Sequence, residues 1–466
     1  MSIPQRKKQI GSNCQGLPAL QPRIESWIEE LAAGRPGDLV AEFGSPLNVI
    51  HAEPFRRDVT DLRNVARSFG IDFEVYFARK ANKCIRFVEE MKDLGGGVDV
   101  ASLEELRQVL EIGVAAEKVI CTAAVKSREL IECCVANRVT IAIDNEDELR
   151  LVKDISRTAE VALRLSGFNH EGNILPSRFG FPISEAGMLK DELDGLMVVG
   201  LHFHLDGYDP DQRISAAREC LKLVGEFREL GHPVRFLDMG GGLPVCYLEY
   251  ANEWEHFHAE HRKSLSSGRE EITYRNHPLG LHVVEGKVYG KPNTYPFYQD
   301  RRSVDWLSYV LTHIQNDIKE MDVQLRCEPG RALLDGAGCT IARVEFVKKR
   351  ADSDGDHYIG LAMNRTQCRT GSDDFLIDPI VVKSGVGKGP EIRGYLVGAY
   401  CTESELIFLR KFRFPSGIQR GDHVIIPNTA GYFMHFLESR SHQFPLAKNY
   451  LYEAKCLDAI DEEPLT

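Results

Sequence analysis

The residues best suited to chemistry stand directly after short apolar runs of sequence. Lys80 follows such a run in YFARKANK, and a lysine that loses its hydration there can form a Schiff base. In LDMGGGLP, the consecutive glycines Gly240, Gly241 and Gly242 leave backbone N–H groups open to an anion such as a phosphate. A solvated surface lysine and a simple tight turn are the alternative interpretations of these two motifs.

Carboxylate, guanidinium and imidazole groups occur in three further motifs. CEPGR offers Glu328 and Arg331, which suit either a ligand or a salt bridge at a strand end. HFHLDG (202–207) puts two histidines on one face of a strand, and HFHAEH (256–261) puts two on one face of a helix. Neither motif has the spacing of zinc ligands, so the sequence predicts no metal site.

Eight β-rich runs precede or contain these motifs, and amphipathic helical stretches such as residues 211–231 separate them. The runs are EVYFA (74–78), GVDVA (97–101), KVICT (118–122), TIAID (140–144), VALRL (161–165), VVGLHFHL (198–205), RFLDM (235–239) and VQLRCE (323–328). Alternation of strand and helix indicates a parallel sheet, and eight strand–helix units are the number that closes a (β/α)8 TIM-like barrel.

The active site of such a barrel lies at the carboxyl ends of its strands. The residues at the predicted strand ends are Lys80, Asp99, Arg164, His204, Gly240–Gly242, Glu328 and Arg331. We therefore expect one constellation at the barrel mouth. Phosphate sites of barrels often follow strands seven and eight, which favours an anion site at the glycine run beside Arg331.

The alternation of strand and helix stops at two places. A polar segment rich in histidine and aromatic residues, at 247–302, is predicted to be an insertion between the seventh and eighth strands. After the eighth run, strand-like runs follow one another with few helices, which predicts a C-terminal β-sandwich or β-barrel domain at 332–466. The predicted fold class is thus α/β plus all-β: a barrel over 46–331, preceded by a segment, 1–45, that packs outside the barrel.

Composition restricts the class of protein further. The chain has 466 residues, of which 43% are apolar and 27% are charged, as in ordinary globular proteins. With 57 basic and 69 acidic side chains the net charge is −12, which argues against a nucleic-acid partner. No apolar run approaches the ~20 residues of a membrane span, and the 12 cysteines are too sparse for a disulfide scaffold. We expect a cytoplasmic protein that contacts neither membrane nor nucleic acid.

Together these motifs resemble the fold-type III pyridoxal-phosphate decarboxylases, the group of diaminopimelate, ornithine and arginine decarboxylases, and within it the Y4yA-like branch. YFARKAN resembles the family's YAxKAN, GGGVDVASLEEL resembles its Gly-x-Asp-x-Ala-Ser segment, and LDMGGGLP and CEPGR nearly match the family's forms. In the predicted β domain, GAYCTESE (398–405) resembles GPxCESxD, and AGY (430–432) resembles GAY. The resemblance extends from about residue 45 to the C-terminus, interrupted by the 247–302 insertion.

The resemblance implies a homodimer, with active sites at the subunit interface, that uses pyridoxal 5'-phosphate to decarboxylate an amino acid or amino-acid conjugate through an external aldimine and a quinonoid. Lys80 would carry the Schiff base, His204 would stack on the pyridine ring, and Glu328 would pair with the ring nitrogen. The other implied cofactor contacts are Arg164, Gly207, Gly240, Gly241, Gly242, Arg331 and Tyr432. Cys401 would enter from the partner subunit and protonate the α-carbon.

The chain departs from this family at three places, one of which is the 247–302 insertion. HLDG replaces HxGS, so Gly207 can reach the phosphate only through its backbone. Thr402 replaces the acidic residue that binds the far amine of ornithine or diaminopimelate, which disfavours these substrates unless Glu403 or the insertion takes its place. We therefore expect Cys401, Thr402 and Glu403 to face the substrate, and the 247–302 insertion to cover the site or shape its pocket.

Two other functions stay open at this point. An amino-acid racemase or epimerase could use the same barrel, although alanine racemases follow KAN with a YGHG-like segment and here KCIRF follows Asn82. A catalytically inactive binding protein, like the antizyme inhibitors, would lose cofactor contacts. The expected contacts that remain here are Lys80, Glu328, Arg331, Cys401 and Tyr432. The sequence names no substrate and no α-stereochemistry, but Arg365 and Arg369 hint at an acidic or conjugated side chain.

Overall fold

The computed structural model describes residues 13–461, except residues 194, 269, 371–375 and 386. The chain folds into two compact units. The barrel unit comprises Ala52–Val245 and Arg301–Leu333. The sheet unit comprises the described residues up to His51, together with Cys246–Asp300 and those from Leu334 onwards. Among the described residues, no helix combines the length and the apolar character needed to span a bilayer.

A closed ring of eight parallel strands forms the centre of the barrel unit. The strands are β1 (Phe73–Ala78), β2 (Gly97–Val100), β3 (Val119–Cys121), β4 (Thr140–Ile143), β5 (Glu160–Ser166), β6 (Met197–Phe203), β7 (Phe236–Asp238) and β8 (Gln324–Cys327). Each strand pairs in parallel with the next, and β8 pairs with β1 to close the ring. The predicted (β/α)8 barrel is confirmed, and every strand overlaps its predicted run.

Burial on both faces explains why these sequences form a parallel ring. All the residues of β2, β3, β4 and β7 are buried. One cluster joins six strands through Tyr76, Ile120, Ala142, Ala162, Val199 and Phe236. A parallel sheet covered on both faces requires such nearly continuous apolar runs. The same runs therefore identify the strands and supply the barrel core.

Helices connect the barrel strands. They are α1 (Ala52–Ser68), α2 (Ile85–Asp93), α3 (Leu103–Glu111), α4 (Arg128–Asn137), α5 (Glu146–Ile155), α6 (Pro210–Glu229) and α7 (Ser303–Met321), and the 3-10 segment Ile183–Asp191 follows β5. The side chains of Ser102, Ser127 and Asn145 accept backbone N–H groups at the starts of α3, α4 and α5. These caps fix where each helix begins and thereby the length of the loop that precedes it.

The sheet unit is assembled from segments that are far apart in sequence. Its main strands are Gln15–Gly16, Leu47–Ile50, Gly338–Lys349, Asp356–Leu361, Ile380–Val382, Ile392–Val397, Phe412–Phe414, His423–Pro427, Lys448–Leu451 and Cys456–Leu457. Leu47–Ile50 pairs antiparallel with the start of Gly338–Lys349 and parallel with Lys448–Leu451. A mostly-sheet second domain is thus confirmed, although one of its strands comes from the N-terminal part of the chain.

The described part of the N-terminal segment belongs to the sheet unit. Its helices, Ser26–Ala33 and Pro36–Phe43, bury Trp27 and Val40 in one apolar cluster with Ile341. This packing, together with the pairing of Leu47–Ile50, extends the sheet unit to residue 51, whereas the sequence analysis began the barrel at residue 46. Residues 1–12 of the predicted segment lie outside the described residues.

The segment between β7 and α7 also belongs to the sheet unit. It contains the helix Ala251–Ser267 and the hairpin His282–Val284/Lys287–Tyr289. Backbone bonds tie it to the strands: the Tyr274 N–H donates to the oxygen of Leu409 at 2.7 Å, and the Lys411 N–H donates to the oxygen of Ile272 at 3.0 Å. The insertion therefore interrupts the barrel in sequence but extends the sheet unit in space.

Candidate active site

Lys80 lies in the 3-10 turn Arg79–Ala81 that follows β1. Its side chain is 37% exposed, and Nζ donates to Oδ2 of Asp99, a fully buried residue of β2. Thr122 Oγ1 donates to the other oxygen of Asp99 at 2.5 Å. Asp99 is thus held in one orientation, and it positions the Lys80 amine at the carboxyl end of the strands.

Neighbours of Lys80 fix the turn in which it lies. Arg79 is 2% exposed, and its guanidinium donates to the backbone oxygens of Asn82 and Lys83. Asn82 Oδ1 accepts the N–H of Cys84 at 2.9 Å, just before α2. These bonds close a tight turn where β1 would otherwise continue. They explain how the sequence RKAN directs Lys80 away from the strand.

Arg164, on β5, is buried beside the same mouth. Its Nη1 lies 3.2 Å from Asp144 Oδ1, and its guanidinium carbon lies 4.1 Å from the centre of the Phe179 ring. Burial has the largest effect on the pKa of two neighbours: it lowers that of His204 and raises that of Glu328. The positive charge of Arg164 lowers the pKa of both residues. Arg164 is therefore a fixed, charge-balanced group close to both of them.

The glycine run after β7 is largely occupied by contacts within the protein. The Gly240 N–H donates to Asp238 Oδ1 at 2.8 Å, and the Gly241 N–H donates to His204 Nδ1 at 3.2 Å. The Gly242 N–H has no hydrogen-bond partner among the described residues. Of the three N–H groups predicted to be open to an anion, only that of Gly242 is open within this described part of the chain.

Glycine is required in this run because the backbone turns sharply between neighbouring strand ends. Gly240 and Gly242 have φ values of +65° and +84°, in the left-handed region. A Cβ on Gly240 would lie 2.5 Å from the backbone oxygen of Phe203, and one on Gly241 would lie 2.8 Å from that of Glu328. The run therefore packs directly against the ends of β6 and β8.

His204 follows β6 and is held as a neutral ring. Burial lowers its pKa well below the ordinary value, and the positive charge of Arg213 adds to the effect. Because His204 Nδ1 accepts the Gly241 N–H, the proton of the neutral ring resides on Nε2. A neutral, oriented imidazole is suited to stack on a flat aromatic ligand.

Three buried polar residues meet inside the barrel: two lie on the adjacent strands β6 and β7, and the third directly follows β8. His202 and Asp238 are fully buried and Glu328 is 4% exposed. His202 Nε2 lies 3.3 Å from Glu328 Oε2, and one potential ligand atom from each of the three residues lies within 4.8 Å of the others. His202 Nδ1, Asp238 Oδ2 and Glu328 Oε1 have no hydrogen-bond partner among the described residues. We call these residues the interior trio.

Burial controls protonation in the interior trio. It raises the pKa of Glu328 to about 8, with the charge of Asp99 adding to the shift and that of Lys80 opposing it. It raises the pKa of Asp238 to about 7 and lowers that of His202 to about 4. Near neutral pH, Glu328 therefore favours its protonated form and His202 is uncharged. A cation brought to Glu328 Oε1 would supply the missing counter-charge.

Sequence reasoning missed this trio because its members are brought together by strand register alone. In the ladder, His202 of β6 stands opposite Asp238 of β7. Glu328 follows β8, which pairs with β7. The sequence analysis considered HFHLDG as a metal motif and rejected it for lack of a carboxylate at matching spacing. The carboxylates come instead from neighbouring strands, so the trio could also hold a metal ion.

Arg213, which the sequence analysis also missed, lies next to the glycine run. It belongs to the first turn of α6 and is 1% exposed. Its Nη2 donates to the backbone oxygens of Leu205, Gly207 and Gly241, at 2.8, 3.2 and 3.1 Å. Gly207 itself is exposed, and Arg331, at the start of the turn after β8, is half-buried.

The remaining predicted site residues belong to the sheet unit. Cys401, Thr402 and Glu403 are exposed on a turn, in which the Thr402 N–H donates to the oxygen of Tyr400 at 2.8 Å. Tyr432 is half-buried and has a φ of +71°, which is strained for a bulky side chain. Arg275, from the insertion, lies 3.9 Å from Glu403 Oε2. The insertion thus contacts the turn that carries Cys401.

Comparison with known proteins agrees with this fold. Residues 57–278 match the family model for the pyridoxal-binding domain of pyridoxal-dependent decarboxylases. The uncharacterised protein y4yA of Sinorhizobium fredii is 29% identical over 435 residues, which cover 89% of each chain. The diaminopimelate decarboxylase of Staphylococcus aureus is 21% identical over 447 residues, covering 92% of this chain and 93% of that one.

Solved structures share the architecture over almost the whole chain. The lysine decarboxylase of Selenomonas ruminantium superposes with a TM-score of 0.69 at 19% identity, covering 92% of this chain and 97% of that one. The diaminopimelate decarboxylase of Helicobacter pylori, in complex with L-lysine, gives 0.67 at 18% identity, with 91% and 97% covered. In fold and in sequence, this chain is similar to the fold-type III pyridoxal-phosphate decarboxylases.

Proposed function

We propose that this chain is a pyridoxal-phosphate-dependent amino-acid decarboxylase. The observation that carries the proposal is that the barrel holds two suitable groups. One is the accessible amine of Lys80, and the other is the buried oxygen Glu328 Oε1, which has no hydrogen-bond partner among the described residues. The two residues are close enough for the charge of Lys80 to lower the pKa of Glu328. A pyridine aldehyde fits both groups, because its aldehyde combines with an amine and its protonated ring nitrogen suits a carboxylate.

The phosphate is proposed to bind at the glycine run. The open Gly242 N–H supports this position, since a half-buried backbone donor that has no partner among the described residues can bind an anion. Gly240 and Gly241 shape the run, and their own N–H groups fix it against Asp238 and His204. We propose Arg331, Tyr432 and the backbone of Gly207 as further phosphate contacts, as the family resemblance implies.

His204, Glu328 and Arg164 are the residues proposed to hold the ring. When bound, pyridoxal phosphate supplies an electron-withdrawing ring that stabilises negative charge on the substrate α-carbon. Glu328 would pair with the protonated ring nitrogen, which would give this buried carboxylate its counter-charge. Neutral His204 would stack on the ring, and Arg164 would add a fixed positive charge near it. Asp99 holds the Lys80 amine at the mouth, where this amine would combine with the cofactor aldehyde.

Cys401 is proposed to donate a proton to the α-carbon in the active site of a partner subunit. Exposure of Cys401, Thr402 and Glu403 on one turn supports this role, since residues that serve a second subunit must be reachable in the single chain. The functional unit would be a homodimer. A cytoplasmic location is part of the same proposal, because no disulfide joins the cysteines of the described residues.

The substrate is proposed to carry an acidic or conjugated side chain. Arg365 Nη1 donates to the oxygen of Ser404 at 3.0 Å, and Arg369 Nη2 donates to that of Leu406 at 3.1 Å, so both guanidinium groups lie beside the Cys401 turn. Arg275 offsets the charge of Glu403. Thr402 adds no charge. The charges around the Cys401 turn therefore do not favour a substrate with a second ammonium group. The insertion contributes to this charge balance through Arg275.

A binding protein without activity is the alternative of another class. Antizyme inhibitor 2 of Xenopus laevis is 31% identical to this chain over 178 residues, which cover 36% of it. Such a protein would not need Lys80 and Glu328 in their observed arrangement. A racemase would need the same cofactor site but would retain the α-carboxylate.

A panel of L- and D-amino acids, including acidic and conjugated ones, distinguishes these functions. Purified protein with pyridoxal phosphate is assayed for release of CO₂ and, in D₂O, for exchange of the α-proton. We expect release of CO₂ from at least one member, and a Glu328→Gln variant to lose it. Exchange without CO₂ release would identify a racemase. Failure to retain the cofactor would identify the binding-protein alternative.

A further inference from the structure

Arg213 carries a buried positive charge that forms no salt bridge within the described part of the chain. It is 1% exposed, and no carboxylate oxygen of the described residues lies within 4.0 Å of its guanidinium. The acidic groups that act on it, Asp206 and Asp209, are exposed, and Asp209 caps α6. Nε has no hydrogen-bond partner. An uncompensated buried cation is costly unless an anion binds nearby.

The surroundings of Arg213 point to where that anion binds. Its Nη2 bridges the loop after β6, through Leu205 and Gly207, and the loop after β7, through Gly241. A Cβ on Gly242 would lie 2.2 Å from Nη2, so the guanidinium packs directly behind the glycine run. The open Gly242 N–H and the buried cation therefore lie at the same loop and favour the same sign of charge.

We propose that Arg213 is a positioning residue for the cofactor phosphate: it braces the two loops and supplies, through the glycine run, the positive charge that offsets the phosphate. This rests on the proposed function, since it assigns the ligand of that site. Gly207 has no side chain to offer, so a cation behind the loop takes over part of the work of a direct donor. The guanidinium acts through backbone groups and need not touch the phosphate.

A comparison of two ligands separates charge from simple bracing. Pyridoxal phosphate and pyridoxal differ by the phosphate alone, so the ratio of their dissociation constants measures what the phosphate contributes. Arg213→Gln keeps hydrogen-bond donors and removes the charge. We expect this variant to raise the dissociation constant of pyridoxal phosphate at least about tenfold, whereas that of pyridoxal should change less than about threefold. Arg218→Gln, on the solvent side of α6, is the matched control and should leave the ratio unchanged.

Arg213→Lys keeps the charge but is too short to reach three carbonyl oxygens. We expect it to preserve the ratio to within about threefold even where overall affinity falls, and this variant decides the question if Arg213→Gln does not fold. Binding of both ligands to the full chain is followed by absorbance. Inorganic phosphate is then used as a competitor, and we expect Arg213→Gln to bind it more weakly than wild type and Arg213→Lys do. A ratio that is unchanged in Arg213→Gln, or lost equally in Arg213→Lys, would overturn the inference alone. Wild-type protein that binds neither ligand would overturn the proposed function as well.

Discussion

In the barrel unit Asp99 and the interior trio are buried, whereas in the sheet unit Cys401, Thr402 and Glu403 stand on an exposed turn. The interior trio is at most 4% exposed, and burial raises the pKa of Glu328 to about 8. Groups held this way are suited to tune a bound ring, because their protonation depends on the charges around them. The turn of the sheet unit is reachable from outside. The difference supports the proposal that the barrel unit holds the cofactor and that the Cys401 turn serves the substrate or a second subunit.

The largest effect is expected in the barrel unit, at Lys80. Lys80→Ala should lower CO₂ release at least about 10³-fold, because it removes the amine that binds the cofactor aldehyde. Lys83→Ala, three residues along the chain, is the matched control and should retain activity. Initial rates with saturating cofactor provide the measurement. A similar loss in both variants would contradict the assignment of Lys80.

The next effect is expected on the exposed turn, at Cys401. Cys401→Ala should lower decarboxylation by about 10²-fold, the typical contribution of one positioned proton donor. Cys456→Ala, which removes another exposed cysteine of the sheet unit, is the control and should be neutral. The measurement is the rate of product formation by each of the two variants and by wild type. Full activity of Cys401→Ala would remove Cys401 from the site.

Mixing the two inactive variants sharpens the comparison between units. If Cys401 serves the partner's barrel, a dimer of Lys80→Ala with Cys401→Ala has one intact site. Random reassortment of equal amounts then restores roughly a quarter of wild-type activity, since half of the dimers are mixed and each has one working site of two. No recovery after demonstrated subunit exchange would place Cys401 and Lys80 of one chain in the same site.

A smaller effect, on stability, is expected at Asp238. Its pKa in the folded protein is about 7, above the ordinary value near 4, so the unfolded chain releases this proton first as the pH rises. The contribution of Asp238 to stability is therefore present below pH 4 and is lost as the pH rises through 7. The wild type should therefore lose stability between pH 5 and pH 8, and Asp238→Asn should not. Relative to wild type, the free energy of unfolding of Asp238→Asn should be higher at pH 8 than at pH 5 by on the order of 2 kcal/mol.

Chemical denaturation at the two pH values measures this gain. Asp147→Asn, which alters an exposed carboxylate on α5, is the control and should show no such difference. A pH-independent effect of Asp238→Asn would mean that Asp238 is ionised inside the barrel. The contrast between buried and exposed carboxylates would then fail.

The smallest effect is expected where the insertion joins the sheet unit. Glu271 Oε1 accepts bonds from Arg350 at 2.7 Å and from the Tyr395 hydroxyl at 2.8 Å. Glu271→Gln should lower the free energy of unfolding by about 1 kcal/mol, since Glu271 is only partly buried. Glu270→Gln, its exposed neighbour, should change little. An equal effect of the two variants would show that the insertion is not tied to the sheet through Glu271.

The two units also differ in how far the sequence predicts them. Each barrel strand is short, buried and flanked by helices, so its pattern is local and the eight runs identified all eight strands. In the sheet unit, Leu47–Ile50 pairs with Gly338–Ile341 and with Lys448–Leu451. Nothing local in the sequence reveals such distant partners. For this reason the boundaries near residue 46 and around the insertion differ from the predicted ones.

The candidate site shows the same division. Lys80, His204, the glycine run and Glu328 stand in recognisable motifs at strand ends, so their grouping in one barrel follows from the fold. The interior trio and Arg213 could not be found in this way. His202 meets Glu328 only through the register of three strands. A buried arginine in the first turn of a helix looks, in sequence, like any solvated one.

The central claim is that Lys80 carries the cofactor, and borohydride reduction tests it most directly. The full-length protein is incubated with pyridoxal phosphate, reduced, digested and analysed by peptide mass spectrometry, with Lys80→Ala treated in parallel. The account predicts one dominant phosphopyridoxyl adduct, on Lys80, that is absent from the variant. No adduct, or adducts scattered over exposed lysines equally in both proteins, would contradict it.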